Sequence, residues 1–235
     1  MLARDYRQGG NLHVALDFSK PPQPRHRAVA ALAVADLPPG GRLLDGGCGR
    51  GEIAALVRGL RPDARISIAD AYPACLDGTR RRVGEIESAH LIDEERFDIA
   101  EVVQGPFDVI VLCHVLEHLR RPVDAARDLL GLLGPEGVLV AAAPNLGTPG
   151  WALRSVFGMD LVNEGHVCGW NRAHWRNFWG NVVGARRVRD GADVADLLPG
   201  RLGAALRRTI GRPLVRLAPT LSDSLISVIR PMPTE

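Results

Sequence analysis

Lysine is all but missing from this chain of 235 residues: Lys20 stands alone among 29 Lys and Arg residues, so nearly every cation is a guanidinium. Against 27 Asp and Glu this leaves a formal charge of +2, too small for the global field expected of a nucleic-acid binder. Four cysteines (Cys48, Cys75, Cys113, Cys168) show no paired spacing, which argues against a disulfide framework and fits reduced thiols in a cytoplasmic protein. No run approaches the ~18 consecutive apolar residues of a spanning helix. The start, MLARDYRQGG, turns charged at once and lacks the apolar core of a secretory signal. What is there is 46% hydrophobic and 24% charged residues, which excludes bulk disorder and predicts one globular domain with insertions.

Residues 1–23 are polar and proline-punctuated (KPPQP) and read as an extended arm before a single domain over 24–235. An alanine-rich apolar stripe predicts a helix from Pro24 to Leu37, stopped by PPGG. Short apolar strands follow at Arg42–Asp45, Ala64–Ala69, Phe107–Cys113 and Val138–Ala143, with a last one at Leu225–Ile229. Helix-length patterns lie between the first four: Glu52–Leu60, a stretch reaching Ile86, and one from about His114 through Leu133, before a GPEG turn. This alternation predicts an α/β fold with helices on both faces of a mostly parallel sheet. In such sheets ligands bind beyond the carboxyl ends of the strands.

The run LLDGGCGRGEIAALV joins a strand, a carboxylate, a glycine loop and a helix. Gly47, Gly49 and Gly51 permit positive φ and let a ligand approach the backbone, facing the helix N-terminal amides. Asp45 stands where a dinucleotide loop would begin. A carboxylate there disfavours a pyrophosphate and suits a cationic ligand such as a sulfonium amino acid. Without further context, the bland alternatives are a tight turn for the glycines, a helix cap for Asp70 and a solvated loop acid for Asp98.

LLDGGCGRG resembles the first motif of class I S-adenosylmethionine-dependent methyltransferases, and ISIADAYP, RFDIAEV, FDVIVLCHVLEHL and LLGPEGVLVAAAPN follow in family order over about 25–145. The nearest group by motif is similar to the ubiquinone-pathway O-methyltransferases. The resemblance implies a Rossmann-like seven-stranded sheet and S-adenosylmethionine as cofactor, with S-adenosylhomocysteine as product. It implies Asp45 and the glycine loop at the methionine part, Asp70 at the ribose, Asp98 and Ile99 at the adenine, and Ala71 among the cofactor-binding residues. Cys113 closes the fourth strand as a further lining residue.

His114, Glu117 and His118 lie where the transferable methyl should sit, and at i, i+3, i+4 they would share one helix face. Three readings stay open: a histidine base toward a hydroxyl, a divalent-metal site, or a helix brace without chemistry. The reading taken is a metal-free site with His114, Glu117 and His118 catalytic. The alternative metal set is Glu117, His118 and His166, because metal-linked relatives carry ExxEH and an additional histidine after the fifth strand. His114 stands where those relatives have glutamate, which counts against the metal.

All four tryptophans fall between 151 and 179, predicting a lid over about 146–182 after the fifth strand. Trp175 and Trp179, four apart on a helix pattern, read as packing. Trp151, Trp170 and His166 read as substrate contacts. A basic amphipathic insertion over about 192–222 carries five arginines and no acid between 201 and 222. Its plain reading is a surface helix, and its functional alternative is peripheral contact with an anionic membrane. The expected activity is methyl transfer to a hydroxyl of a small-molecule, sugar or lipid-linked acceptor. A metal-assisted RNA 2′-O-methyltransferase and a non-catalytic cofactor-binding protein are the alternatives.

Overall fold

The computed structural model describes residues 17–158, 165–198 and 200–232. Helix α1 (Pro24–Asp36) leads into β1 (Arg42–Gly46), α2 (Glu52–Leu60), β2 (Arg65–Asp70), α3 (Pro73–Val83), β3 (Ser88–Leu91) and a single turn, α4 (Ile99–Val102). Next come β4 (Phe107–Cys113), a 3-10 turn (Leu116–His118), α5 (Pro122–Gly131), β5 (Leu133–Pro144) and α6 (Pro149–Val156). The remainder is α7 (Arg172–Asn177) running into a π turn (Phe178–Val183), β6 (Ala185–Gly191), α8 (Gly200–Thr209), α9 (Gly211–Leu217) and β7 (Ser224–Pro231).

The described strands form one seven-stranded sheet in the order β3-β2-β1-β4-β5-β7-β6. Strands β1 to β5 are mutually parallel, and β7 runs antiparallel to both β5 and β6. The central strands are apolar on both sides because both faces are covered. Leu43, Val109, Val111, Val138 and Val140 pack with Val29, Ala33, Ile53 and Val57 of α1 and α2 on one face. Leu44, Ile110, Leu112, Leu139 and Ala141 pack with Ala125, Leu129 and the aromatic residues after β5 on the other. The connections reverse direction between β1 and β4, so the crevice at their carboxyl ends is the ligand position of this fold.

Several expectations need correction. The stretch from His114 to Leu133 is not one helix: His114 adopts φ +57°, a 3-10 turn follows, and α5 starts only at Pro122, a residue suited to a first helical position. GPEG is not a turn before the fifth strand but an irregularity inside β5, where Phe107 pairs with Leu133 and Val109 with Val138. A Cβ at Gly137 would lie 2.8 Å from the Phe107 carbonyl, so glycine is needed there. Helix α3 ends at Val83 rather than near Ile86, stopped by Gly84 at φ +85°.

The aromatic segment is mostly core. Trp175 and Trp179 are fully buried, as the packing reading expected, and the Trp175 indole donates to Ser227 Oγ at 3.0 Å. Trp170, expected as an open substrate wall, is only 6% exposed and meets Trp175 and Phe178 edge-on at ring separations of 5.5 and 5.4 Å. Part of the expected lid, 159–164, and most of the expected arm, 1–16, lie outside the described residues. The basic insertion over 192–222 does contain helices, α8 and α9, with Leu202 and Leu217 exposed. Arg207 is not a solvated arginine: it bonds Asp196 at 2.5 Å and Asp223 at 3.0 Å.

Candidate active site

The loop after β1 is built from backbone. The N–H groups of Gly47 and Cys48 both donate to the Ala69 carbonyl at the end of β2, at 2.8 and 3.0 Å. Gly47, Gly49 and Gly51 all have positive φ, at 72°, 52° and 70°. A Cβ on Gly47 would strike Val115 at 2.4 Å, whereas one on Gly49 would meet nothing within 4 Å. Gly49 is thus a glycine with open space above it, the condition for a ligand to lie against the main chain. Gly51 is the left-handed N-cap of α2.

Two acids flank this loop from neighbouring strands. Asp45 is 2% exposed and accepts one hydrogen bond, from Ala54 N–H of α2 at 3.2 Å. Burial first, then the charges of Asp70 and Glu52, push its carboxyl up to about 7. Asp70 takes Gly49 N–H at 2.8 Å on one oxygen and Tyr72 N–H at 3.0 Å on the other, and burial raises its pKa. The Cys75 thiol and the Ala71 backbone also bond this carboxyl and favour its charged form. Ala71 follows it, half-buried against the core. Asp98 stands at the N-terminal boundary of α4 without a side-chain capping bond and accepts from Asp93 N–H at 2.8 Å. The adjoining Ile99 is fully buried, its Cδ1 3.6 Å from where a Gly46 Cβ would stand. Cys113 ends β4 with its thiol pushed up by burial.

At the end of β4 the chain turns sharply through His114. Its Nδ1 lies 3.4 Å from Glu117 Oε1 without forming a hydrogen bond, and its Nε2 lies 3.2 Å from Ser224 Oγ. Both oxygens of the fully buried Glu117 carboxyl lack a hydrogen-bond partner, and burial pushes it up to about 8. An orphaned buried carboxyl costs ~1–3 kcal/mol, a cost a fold retains where a ligand later satisfies the group. His118 Nδ1 faces the Gly165 carbonyl at 3.2 Å, and the His118 and His166 rings meet edge-on at 4.7 Å. Burial lowers all three imidazoles, His166 to about 4, so they are neutral near pH 7. Ligand atoms of Glu117, His118 and His166 all lie within 4.8 Å of one another. The expected cluster is therefore assembled, by an αL residue and a 3-10 turn rather than by one helix face. Trp151, half-buried on α6, sits beneath the Arg154 guanidinium at 5.6 Å, beside this region in sequence but tied to the Asp196 network.

Three residues join the site without any signal in the sequence. Ser224 bonds His114 and Asp193 bonds Ser224, both from more than 70 residues away in sequence from the imidazole. Arg25, on the first turn of α1, has its Nε buried without a hydrogen-bond partner, and its charge bears on Cys113, His114, Glu117 and Asp223.

Comparison with known proteins agrees with this architecture. The pattern described as "Methyltransferase domain" matches residues 20–182. The ubiquinone biosynthesis O-methyltransferase of Methylocella silvestris is 29% identical over 162 residues, covering 66% of this chain and 57% of that protein. Its counterpart in Xanthomonas campestris is 30% identical over 127 residues, covering 53% of this chain and 51% of that protein. The chain thus spans a little over half the length of these curated relatives. Among solved structures, a Haloferax volcanii methyltransferase in complex with a methyltransferase activator superposes with a TM-score of 0.64 over the whole of both chains at 15% identity. Magnesium protoporphyrin IX methyltransferase from Synechocystis PCC 6803, with bound SAH, gives 0.59 at 16% identity, over 88% of this chain and 84% of that one. The glycine loop between two acids, the strand order and the matched pattern together show that the chain belongs to the class I S-adenosylmethionine-dependent methyltransferases.

Proposed function

We propose that the chain transfers the methyl group of S-adenosylmethionine to a hydroxyl of a small organic acceptor, held between His114, Glu117, His118 and His166. The observation that carries this reading is the buried, unpartnered Glu117 carboxyl flanked by neutral imidazoles at the end of β4, next to the glycine loop. Asp45 and the Gly47–Gly51 backbone take the methionine part, Asp70 the ribose, and Asp98 with Ile99 the adenine. The hydroxyl oxygen attacks the methyl carbon in line, the C–S bond pair stays on sulfur as S-adenosylhomocysteine, and the hydroxyl proton passes to a histidine, His114 or His118. The donor is already activated, so positioning does most of the work. The ubiquinone-pathway names of the curated relatives support a hydroxyl as the methylated group.

The test is incubation with methyl-labelled donor and a panel of phenols, catechols, hydroxy acids and amines, read by mass spectrometry. Label on oxygen is the expected result. Label only on nitrogen or carbon overturns the hydroxyl assignment.

A second reading is favoured by one observation, the convergence of Glu117, His118 and His166. His118 can donate Nδ1–H to the Gly165 carbonyl and so leave Nε2 for an ion, a recurring way of orienting a metal-bound histidine. These three would hold a divalent cation, which would polarise the acceptor hydroxyl. Chelation followed by turnover measurement decides between the readings: unchanged turnover supports the metal-free site, and loss restored by added metal supports the ion.

A further inference from the structure

A buried run of hydrogen bonds reaches His114 from the connection between β6 and β7. The Asp193 carboxylate receives Val194 N–H at 2.7 Å, Ser222 Oγ–H at 2.7 Å and Ser224 N–H at 3.2 Å on one oxygen. Its other oxygen receives Ser224 Oγ–H at 2.8 Å. Asp193 and Ser224 are 7% and 2% exposed, so water does not compete for these bonds. A serine hydroxyl has one proton, and here it is committed to Asp193. Toward His114 Nε2, at 3.2 Å, the same oxygen can only accept. Nε2 must therefore carry the ring hydrogen, and Nδ1 of the neutral imidazole keeps its lone pair.

That lone pair faces the unpartnered Glu117 carboxyl. The backbone holds the ring there at a cost: His114 is one of two non-glycine residues with positive φ among the described residues, pinned by its N–H to the Ala142 carbonyl at 2.8 Å. A strained residue at the end of a central strand, with its tautomer dictated from behind, is a preorganised hydrogen-bond acceptor. Arg25 and His26 of α1, and His118 and His166, bear on the ring through their charges, and none of them makes a described hydrogen bond to it.

We propose that Ser224 and Asp193 are positioning residues that fix His114 as its Nε2–H tautomer, so that Nδ1 accepts the hydrogen bond of the acceptor's reacting hydroxyl. The role of Nδ1 rests on the hydroxyl-methylation reading, whereas the fixing of the tautomer does not.

The test is nitrogen NMR of the full chain labelled with 15N-histidine and saturated with S-adenosylhomocysteine, with His114→Gln used to assign the ring signals. The expected result is a protonated Nε2 and a bare Nδ1 in the unsubstituted protein. Ser224→Ala and Asp193→Asn should convert this into a tautomer mixture, and Ser224→Thr, which keeps the hydroxyl, should restore the single form. A protonated Nδ1 in the unsubstituted protein, or a single unchanged tautomer in Ser224→Ala, overturns the proposal. The unsubstituted spectrum decides even if Asp193→Asn fails to fold. Because no turnover is needed, a protein that methylates no hydroxyl removes the functional reading separately, through the labelled-donor assay.

Discussion

A carboxyl group taken out of water resists ionisation, and Asp45, pushed up to about 7, is half-protonated at neutral pH. Its partner in the proposed complex is a cation, so the charged carboxylate is the binding form. The sign follows: a raised acid is neutral below its pKa, and donor affinity should fall as pH drops below about 7, approaching tenfold per unit. Calorimetry between pH 5.5 and 8 checks this, with proton release on binding at the low end and none at the high end. Asp70→Ala should weaken donor binding by ~1–3 kcal/mol through lost charge-assisted hydrogen bonds, measured by the same titration. Asp45 and Asp70 were legible in the sequence because strand ends and glycines marked their positions. The Ser224–Asp193 support of His114 was not, since a serine opening a strand looks the same whether or not an imidazole lies above it.

At the scale of elements, what was legible followed burial. Phe107–Cys113 and Glu52–Leu60 came out at their observed bounds because long apolar runs and a glycine start leave little freedom. Strand β3 is poorly marked in the sequence: four residues of mixed character at the edge of the sheet, none fully buried, carry no alternation. The αL turn at His114 was hidden because LCHVLEHL has helical spacing, yet the peptide after β4 is bonded to β5 through Ala142 instead. Two predictions belong here. Gly47→Ala forces a Cβ to 2.4 Å from Val115 at φ +72° and should lower stability by ~1–3 kcal/mol, read as a drop in denaturation midpoint. Asp196, fully buried, joins Thr148 and Arg154 of the segment after β5 to Arg207 of α8. Asp196→Ala strands the partly screened Arg154 guanidinium, leaves Arg207 with Asp223 alone, and should cost ~2–4 kcal/mol by the same measurement.

The whole molecule divides along its sheet. The half around β1, β2 and β4 carries the proposed cofactor seat, and its form was readable from motif order. The half around β5, β7 and β6 supplies Ser224 and Asp193 behind His114. There Trp170, which suggested an open wall, turns out to build a core with Trp175, Phe178 and Trp179, whose rings meet edge to face except for the stacked Trp175–Phe178 pair. Aromatic clustering in a sequence reports a large apolar contribution, and only packing decides whether it faces a ligand or a strand. Among the described residues no helix is long and apolar enough to cross a membrane. Exposed Leu202, Ile210 and Leu217 on and between α8 and α9 stand beside arginines. If that surface docks on anionic lipid, sedimentation with phosphatidylserine vesicles should fall steeply with salt. Equal sedimentation with neutral vesicles would contradict it.

The most direct measurement is a crystal structure of the full chain with S-adenosylhomocysteine. The expected result has its ribose hydroxyls on the Asp70 carboxylate, its amino group beside Asp45, and its sulfur facing the His114–Glu117 turn across the space above Gly49. Density for the molecule anywhere away from this loop, or a ribose that does not touch Asp70, would contradict it.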